Sequence, residues 1–204
     1  MPYKSHSREE LEKIAEEFLQ KNTAGKYDNR ALMIEAVIEG IGYTIHPVPG
    51  LAEIAEAYVP AKKGYIFVDE EQYMNGSSFR WRFTMAEELA HILIHRPIFD
   101  DKSSEEIVRI QEAFTDSEYR RIEQDAKYLA GCLLMPKEVF LARFKHFFDF
   151  QSQRSSNYLN ILYYVMRQLS MDFNVSCQSV SIRALHLDQI DQSDLEDLLE
   201  MFDG

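Results

Sequence analysis

Cysteine is scarce in this chain: Cys132 and Cys177 are the only two, far apart and outside any Cys-x-x-Cys pair. Such sparse thiols exclude a disulfide framework and suit a reducing, cytoplasmic setting with both side chains buried. Basic residues are also in short supply, 22 Lys and Arg against 34 Asp and Glu, for a formal charge of −12. A surplus of that sign repels phosphate backbones and argues against broad electrostatic binding of nucleic acid. No apolar run approaches the roughly 20 residues needed to cross a bilayer. The opening "PYKSHSREELEK" lacks the basic stub and apolar core of a signal peptide. Nothing suggests a repeat array or a fibre. What is present is a 204-residue chain with 46% hydrophobic residues, enough to bury a core in one domain with a small appendage.

Local patterns predict mostly helix. Ser7-x-x-Glu10 has the form of a capping box, and Leu11, Ile14, Ala15, Phe18 and Leu19 follow at helical spacing. "YDNRALMIEAVIEG" reads as a second helix ending near Gly40 and Gly42. "YTIHPV" alternates like a strand, broken by Pro47 and Pro49, and "EAYVPAKKGYIFVDE" reads as two strands around a Lys-Lys-Gly turn. A long helix is expected from about Ser78 to His95, ended by Pro97. Thr115-x-x-Glu118 is another capping box, opening "SEYRRIEQDAKYLAGCLL" up to Pro136. "KEVFLARFKHFF" and "YLNILYYVMRQLS" supply two more helices. The fold class is α+β, mostly helical, with one small antiparallel sheet.

Chemistry concentrates in "MAEELAHILIHR", residues 85–96. On a helix Glu87 and His91 are an i, i+4 pair and Glu88 precedes His91 by three, so all three point into one wedge. That is the geometry of His-Glu-x-x-His, in which two ligands one turn apart hold a metal and the adjacent carboxylate takes a proton from its water. Here a glutamate stands where the first histidine belongs. A third ligand must come from elsewhere, and Glu123 is the candidate. Its helix face carries Ala126, Lys127 and Ala130, and the alanines allow close approach, whereas nearby Asp125 projects from a different side. A competing reading makes Thr84-x-x-Glu87 a capping box at a helix start. Against it, "FRWRF" is helix-compatible and places Thr84 inside.

"RFTMAEELAHILIH", followed about thirty residues later by Glu-x-x-Ala and "LAGCLLMP", resembles the ImmA/IrrE metallopeptidase family, whose pattern is R-F-T-x-A-H-E-L-x-H and then E-x-x-A-x-x-F-A-x-x-L-L-M-P. The likeness covers residues 1 to about 186, leaving 187–204 as an acidic amphipathic tail. It implies a zincin-like metallopeptidase domain, with Glu88 as general base, His91 as a metal ligand and Glu123 as the third ligand. The family's first histidine falls on Glu87 and its phenylalanine on Leu129. A carboxylate at position 87 can still ligate, zinc accepting oxygen at about 2.0–2.2 Å. Glu87, His91 and Glu123 would put two negative charges on Zn²⁺, which lowers its Lewis acidity, and oxygen-rich ligation favours harder divalent ions such as Mn²⁺. The resemblance further implies a protein substrate, a helix-turn-helix transcriptional repressor, with no direct nucleic acid and no membrane partner. The alternative is a weakly active or inactive member that binds a repressor or other protein as a regulatory module.

Three further features invite other readings. His91 and His95 form a second i, i+4 pair, but Ile92 occupies the position of the base, so His95 is read as a cationic group closing a helix end. "LSMDFNVSCQSVSIRALHL", residues 169–187, resembles a helix-turn-helix phrase, yet Arg183 is the only basic residue its second helix offers, and packing is the better reading. Asp188 to Gly204 carries seven acidic residues and no basic one, with Leu195, Leu198 and other apolar residues interleaved, as in a solvated amphipathic helix or frayed tail.

Overall fold

The structure, a computed structural model, describes residues 5–28, 31–53, 57–59, 64–75, 78–99 and 102–203. Two compact units divide the chain, Met1–Lys26 with Met33–Leu133, and Tyr27–Leu32 with Leu134–Gly204.

In the first unit, α1 (Arg8–Asn22) starts at the predicted capping box. The Ser7 N–H donates to Glu10 Oε2 at 2.7 Å and the Glu10 N–H to Ser7 Oγ at 3.2 Å. Two otherwise orphaned donors are thereby satisfied. Leu11, Ala15 and Leu19 bury one stripe of the helix. The second helix is shorter than expected: α2 spans only Ile34–Gly40. Upstream of it, Tyr27–Asp28 (β1) and Ala31–Leu32 (β2) pair as a short antiparallel ladder belonging to the second unit. The Met33 N–H donates to the Lys26 carbonyl at 2.9 Å, so the chain doubles back before it can coil.

The sheet contains β3 (Thr44–Val48), β4 (Ala57–Tyr58) and β5 (Tyr65–Asp69) in the order β3-β5-β4. β4 and β5 pair antiparallel as predicted, whereas β3 runs parallel to β5 with Ile45 opposite Ile66. The sheet is therefore mixed, not wholly antiparallel. Alternation of apolar residues sets which face a strand buries; it carries no information about direction. As an edge strand, β3 tolerates Pro47, which has no N–H to give. Lys62 and Lys63 of the expected turn lie outside the described residues. Gly64, at φ +96°, leads into β5 through a conformation that suits glycine. Ile66 and Val68 of β5 are fully buried.

A short helix, α3 (Glu70–Met74), follows, capped by the Asp69 carboxylate. Then comes α4 (Phe79–Ala90), whose cap is Ser78: its Oγ accepts the Trp81 N–H at 3.1 Å. Thr84 is thus inside the helix, and the capping reading of Glu87 falls. Trp81 Nε1 donates to Glu35 Oε1 at 2.7 Å, tying α4 to α2. The predicted single helix to His95 instead widens into a π turn over His91–His95, then tightens into a 3₁₀ turn, Arg96–Phe99, that absorbs Pro97. Residues 104–112 form α5 (Ser104–Glu112), an additional helix, behind a Ser103–Glu106 capping box. α6 (Asp116–Leu134) opens at Thr115 and Glu118 as expected. α1 and α6 are pinned together, Tyr128 Oη donating to Glu12 Oε1 at 3.1 Å and the His6 N–H to Asp125 Oδ2 at 2.9 Å.

The second unit holds α7 (Lys137–Ser152), α8 (Tyr158–Phe173), α9 (Cys177–His186) and α10 (Gln192–Asp203). Its aromatic residues mostly pack: Phe140 stacks on Phe173 at 5.9 Å and Phe150 on Tyr164 at 6.2 Å. α8 ends at Asn174, in the left-handed region at φ 53°, and Ser176 caps α9. Arg183 is only 2% exposed, its Nε donating to the Met135 carbonyl at 3.1 Å. The one basic residue of the helix-turn-helix phrase is therefore a core residue. The acidic terminal segment folds as α10, burying Leu195 and Leu198 and packing on α8 and α9. Cys132 is buried and Cys177 half-buried, and neither is in a disulfide. Among the described residues no helix is long and apolar enough to cross a membrane.

Candidate metal centre

α4 divides its faces cleanly. Met85, Ala86, Leu89 and Ala90 are fully buried. At about 100° per residue they fill one side, and Glu87, Glu88 and His91 fall within about 100° of one another on the other. On α6 the same arithmetic groups Glu123 with Ala126, Lys127 and Ala130. Both alanines are fully buried, and Asp125 faces away, accepting the His6 N–H.

The two faces meet. Glu87, His91 and Glu123 each offer one ligand atom, and these atoms all lie within 4.8 Å of one another. His91 Nε2 stands 3.7 Å from Glu123 Oε1. The Glu87 side chain is 20% exposed, so it turns into the cluster and not out to solvent. Ligand bonds of about 2.0–2.1 Å at tetrahedral angles need ligand atoms about 3.3 Å apart. The observed spacings, 3.7 Å between His91 and Glu123 and up to 4.8 Å within the set, are somewhat longer, and the donor set, one imidazole and two carboxylates, suits a divalent ion.

The charges around the site follow from burial. Glu88 is pushed up to about 8, first by burial and then by the carboxylates of Glu87 and Glu123. Glu87 is raised for the same leading reason, and Lys127 opposes this. Burial lowers His91, the nearby Glu123 working the other way, so the imidazole is held neutral, the form that ligates. A carboxyl near neutrality is suited to exchanging a proton with a reacting group, and a divalent ion beside it would favour the ionised form.

Two participants were not recognised in the sequence. Lys127 Nζ lies 3.9 Å from Glu87 Oε1 and partly cancels the extra negative charge that Glu87 brings. Its signal was present, since it follows Glu123 by four on the same face. His95 was read as a cationic helix-end group, and the structure corrects this. It is 5% exposed, burial and then His91 and His6 depress it to about 3, and its Nδ1 is 2.8 Å from His91 Nδ1. The π turn carries the ring inward instead of leaving it at a solvated terminus. His46 lies over Tyr65 and Phe67 on the sheet, remote in role from the cluster.

Comparison with known proteins bears on the fold and the family. Among solved structures, the chain is similar to a Mycobacterium tuberculosis transcriptional regulator, at 16% identity and a TM-score of 0.55 over 86% of this chain. The match covers 46% of that protein, so this chain spans about half its length, and the likeness speaks for the fold. No curated protein matches the sequence. A family model does match, over residues 52–185, which include α4, the π turn and α6 and thus every member of the cluster. The chain belongs to the peptidase family described as the IrrE N-terminal-like domain.

Proposed function

We propose that this protein is a metal-dependent endopeptidase whose substrate is another protein, a helix-turn-helix transcriptional repressor being the class that the family resemblance indicates. The observation that carries the reading is the convergence of Glu87, His91 and Glu123 within 4.8 Å, with Glu88 between Glu87 and His91 in the sequence. Glu87, His91 and Glu123 would hold the ion, Zn²⁺ or a harder divalent ion such as Mn²⁺. When bound, the ion supplies the positive charge that polarises a peptide carbonyl and the attacking water. Glu88 accepts the proton of that water and returns it to the departing amine. Lys127 screens Glu87, which restores part of the electrophilicity that a second carboxylate removes. Residues 1–186 form the catalytic domain in this reading, with 187–204 an acidic addition to it.

The test uses untagged protein. Elemental analysis is expected to return one divalent ion per chain, and a candidate repressor is expected to be cut. Glu88→Gln should stop the cutting while leaving the ion in place. A second reading, a module that binds a repressor without cleaving it, draws on the Glu87–Lys127 ion pair, which engages a ligand oxygen. Stable binding with neither bound ion nor cleavage would establish that module in place of the peptidase.

A further inference from the structure

His95 has no role in the chemistry described above, yet its ring is aimed at a ligand. The His91 and His95 Nδ1 atoms are 2.8 Å apart. The ring centroids are 4.9 Å apart with the planes at 48°, so the nitrogens approach edge to edge and the rings do not stack. Two imidazole nitrogens at that separation share a single proton: one ring donates and the other accepts.

The two ways of placing the proton have opposite consequences. If His95 donates, the lone pair of His91 Nδ1 is consumed, and a neutral His91 carries its own proton on Nε2. That nitrogen, 3.7 Å from Glu123 Oε1, then has no lone pair to offer. If His91 donates, Nδ1 holds the proton and the Nε2 lone pair opens on the side of Glu123 and Glu87. His95 accepts through Nδ1 and keeps its own proton on Nε2. Ligation through Nε2 requires the second arrangement, because a neutral His91 keeps a lone pair on Nε2 only while its proton sits on Nδ1, where His95 Nδ1 is the atom 2.8 Å away.

We infer that His95 is a positioning residue that holds His91 as its Nδ1–H tautomer and so directs Nε2 into the cluster formed with Glu87 and Glu123. This rests on the reading that those three residues hold an ion. It adds to that reading which nitrogen ligates and what fixes it. An outer partner of this kind orients a ligand histidine and raises its basicity. His91 and His95 stand at the two ends of the π turn.

The full chain, labelled with ¹⁵N in histidine and loaded with Zn²⁺, provides the test. Two-bond ¹H–¹⁵N correlation spectra should show His91 protonated on Nδ1 and metal-bound through Nε2, with His95 protonated on Nε2. Zn²⁺ titration should show His95→Phe weakened by roughly 10- to 100-fold, the range for loss of an outer partner. His95→Asn, whose Oδ1 can accept in place of Nδ1, should recover most of that loss. A proton on His95 Nδ1 in the wild-type spectrum, or equal affinities for wild type and His95→Phe, overturns the assignment. Wild-type protein that binds neither Zn²⁺ nor Mn²⁺ instead overturns the metal reading. The metal-free spectrum then decides the tautomer alone: Nδ1–H on His91 upholds the pairing and Nε2–H refutes it.

Discussion

Replacing Lys127 by Gln should tighten binding of a divalent ion. Lys127 Nζ is 3.9 Å from Glu87 Oε1. An ion held by that oxygen at about 2.0–2.2 Å can be no farther than about 6 Å from the ammonium. Charges of +2 and +1 at that distance repel by about 1.4 kcal/mol in a medium as polarisable as water, a factor of about ten in affinity. Less solvated surroundings raise the figure. The 60% exposure of the lysine side chain, which lets it swing outward, lowers it. The expected gain is therefore between three- and tenfold, shrinking as salt is raised towards 1 M. Isothermal titration of Mn²⁺ and Zn²⁺ into metal-free wild type and Lys127→Gln reads it directly. An unchanged or weaker affinity would show that the lysine does not bear on the ion, and that the extra charge of Glu87 stands uncompensated.

Glu87→His should raise preference for Zn²⁺ over Mn²⁺ by about tenfold in competition titrations, since imidazole replaces a hard oxygen donor. In metal-free protein, Glu88 stays protonated up to about 8 while the unfolded chain ionises near 4.5. Its contribution to stability is thus full below pH 4.5 and lost as pH rises towards 8, by up to about 5 kcal/mol at roughly 1.4 kcal/mol per pH unit. Chemical denaturation of wild type against Glu88→Gln should show this difference in slope, and parallel curves would contradict the burial of the carboxyl. Arg183→Met should lower stability by about 1–3 kcal/mol, because the Met135 carbonyl loses its buried donor. The same variant should leave duplex DNA binding unchanged, measured by fluorescence anisotropy.

Much of the helical framework was legible because its signals are local. Ser7 with Glu10 and Thr115 with Glu118 announce helix starts through side chains three residues apart, and the structure forms both boxes. Glu87, Glu88 and His91 could be placed on one wedge because spacing alone fixes angle on a helix, and alanines 126 and 130 marked where a second helix comes near. Harder to see were features decided by distant partners. The direction of β3 depends on how the chain between β3 and β5 crosses, and nothing in "YTIHPV" encodes that. Ala31 and Leu32 are as apolar in a ladder as in a helix, so a backbone reversal settled their fate. The expectation of a solvated helix end at His95 fails because the coil does not stop there: it runs on through the 3₁₀ turn Arg96–Phe99, and His95 is buried. At His91 the pitch changes.

That change of pitch gives the turn a tolerance of length that point substitutions would not reveal. A π turn accommodates one residue more than the regular helix around it, so it behaves like an insertion stored in the backbone. Deleting a single residue from Ile92–Ile94 would remove that stored residue and let regular coiling resume with the downstream chain close to its present register. The chain would keep every side chain named as a ligand, and the second imidazole would follow the first by three residues instead of four.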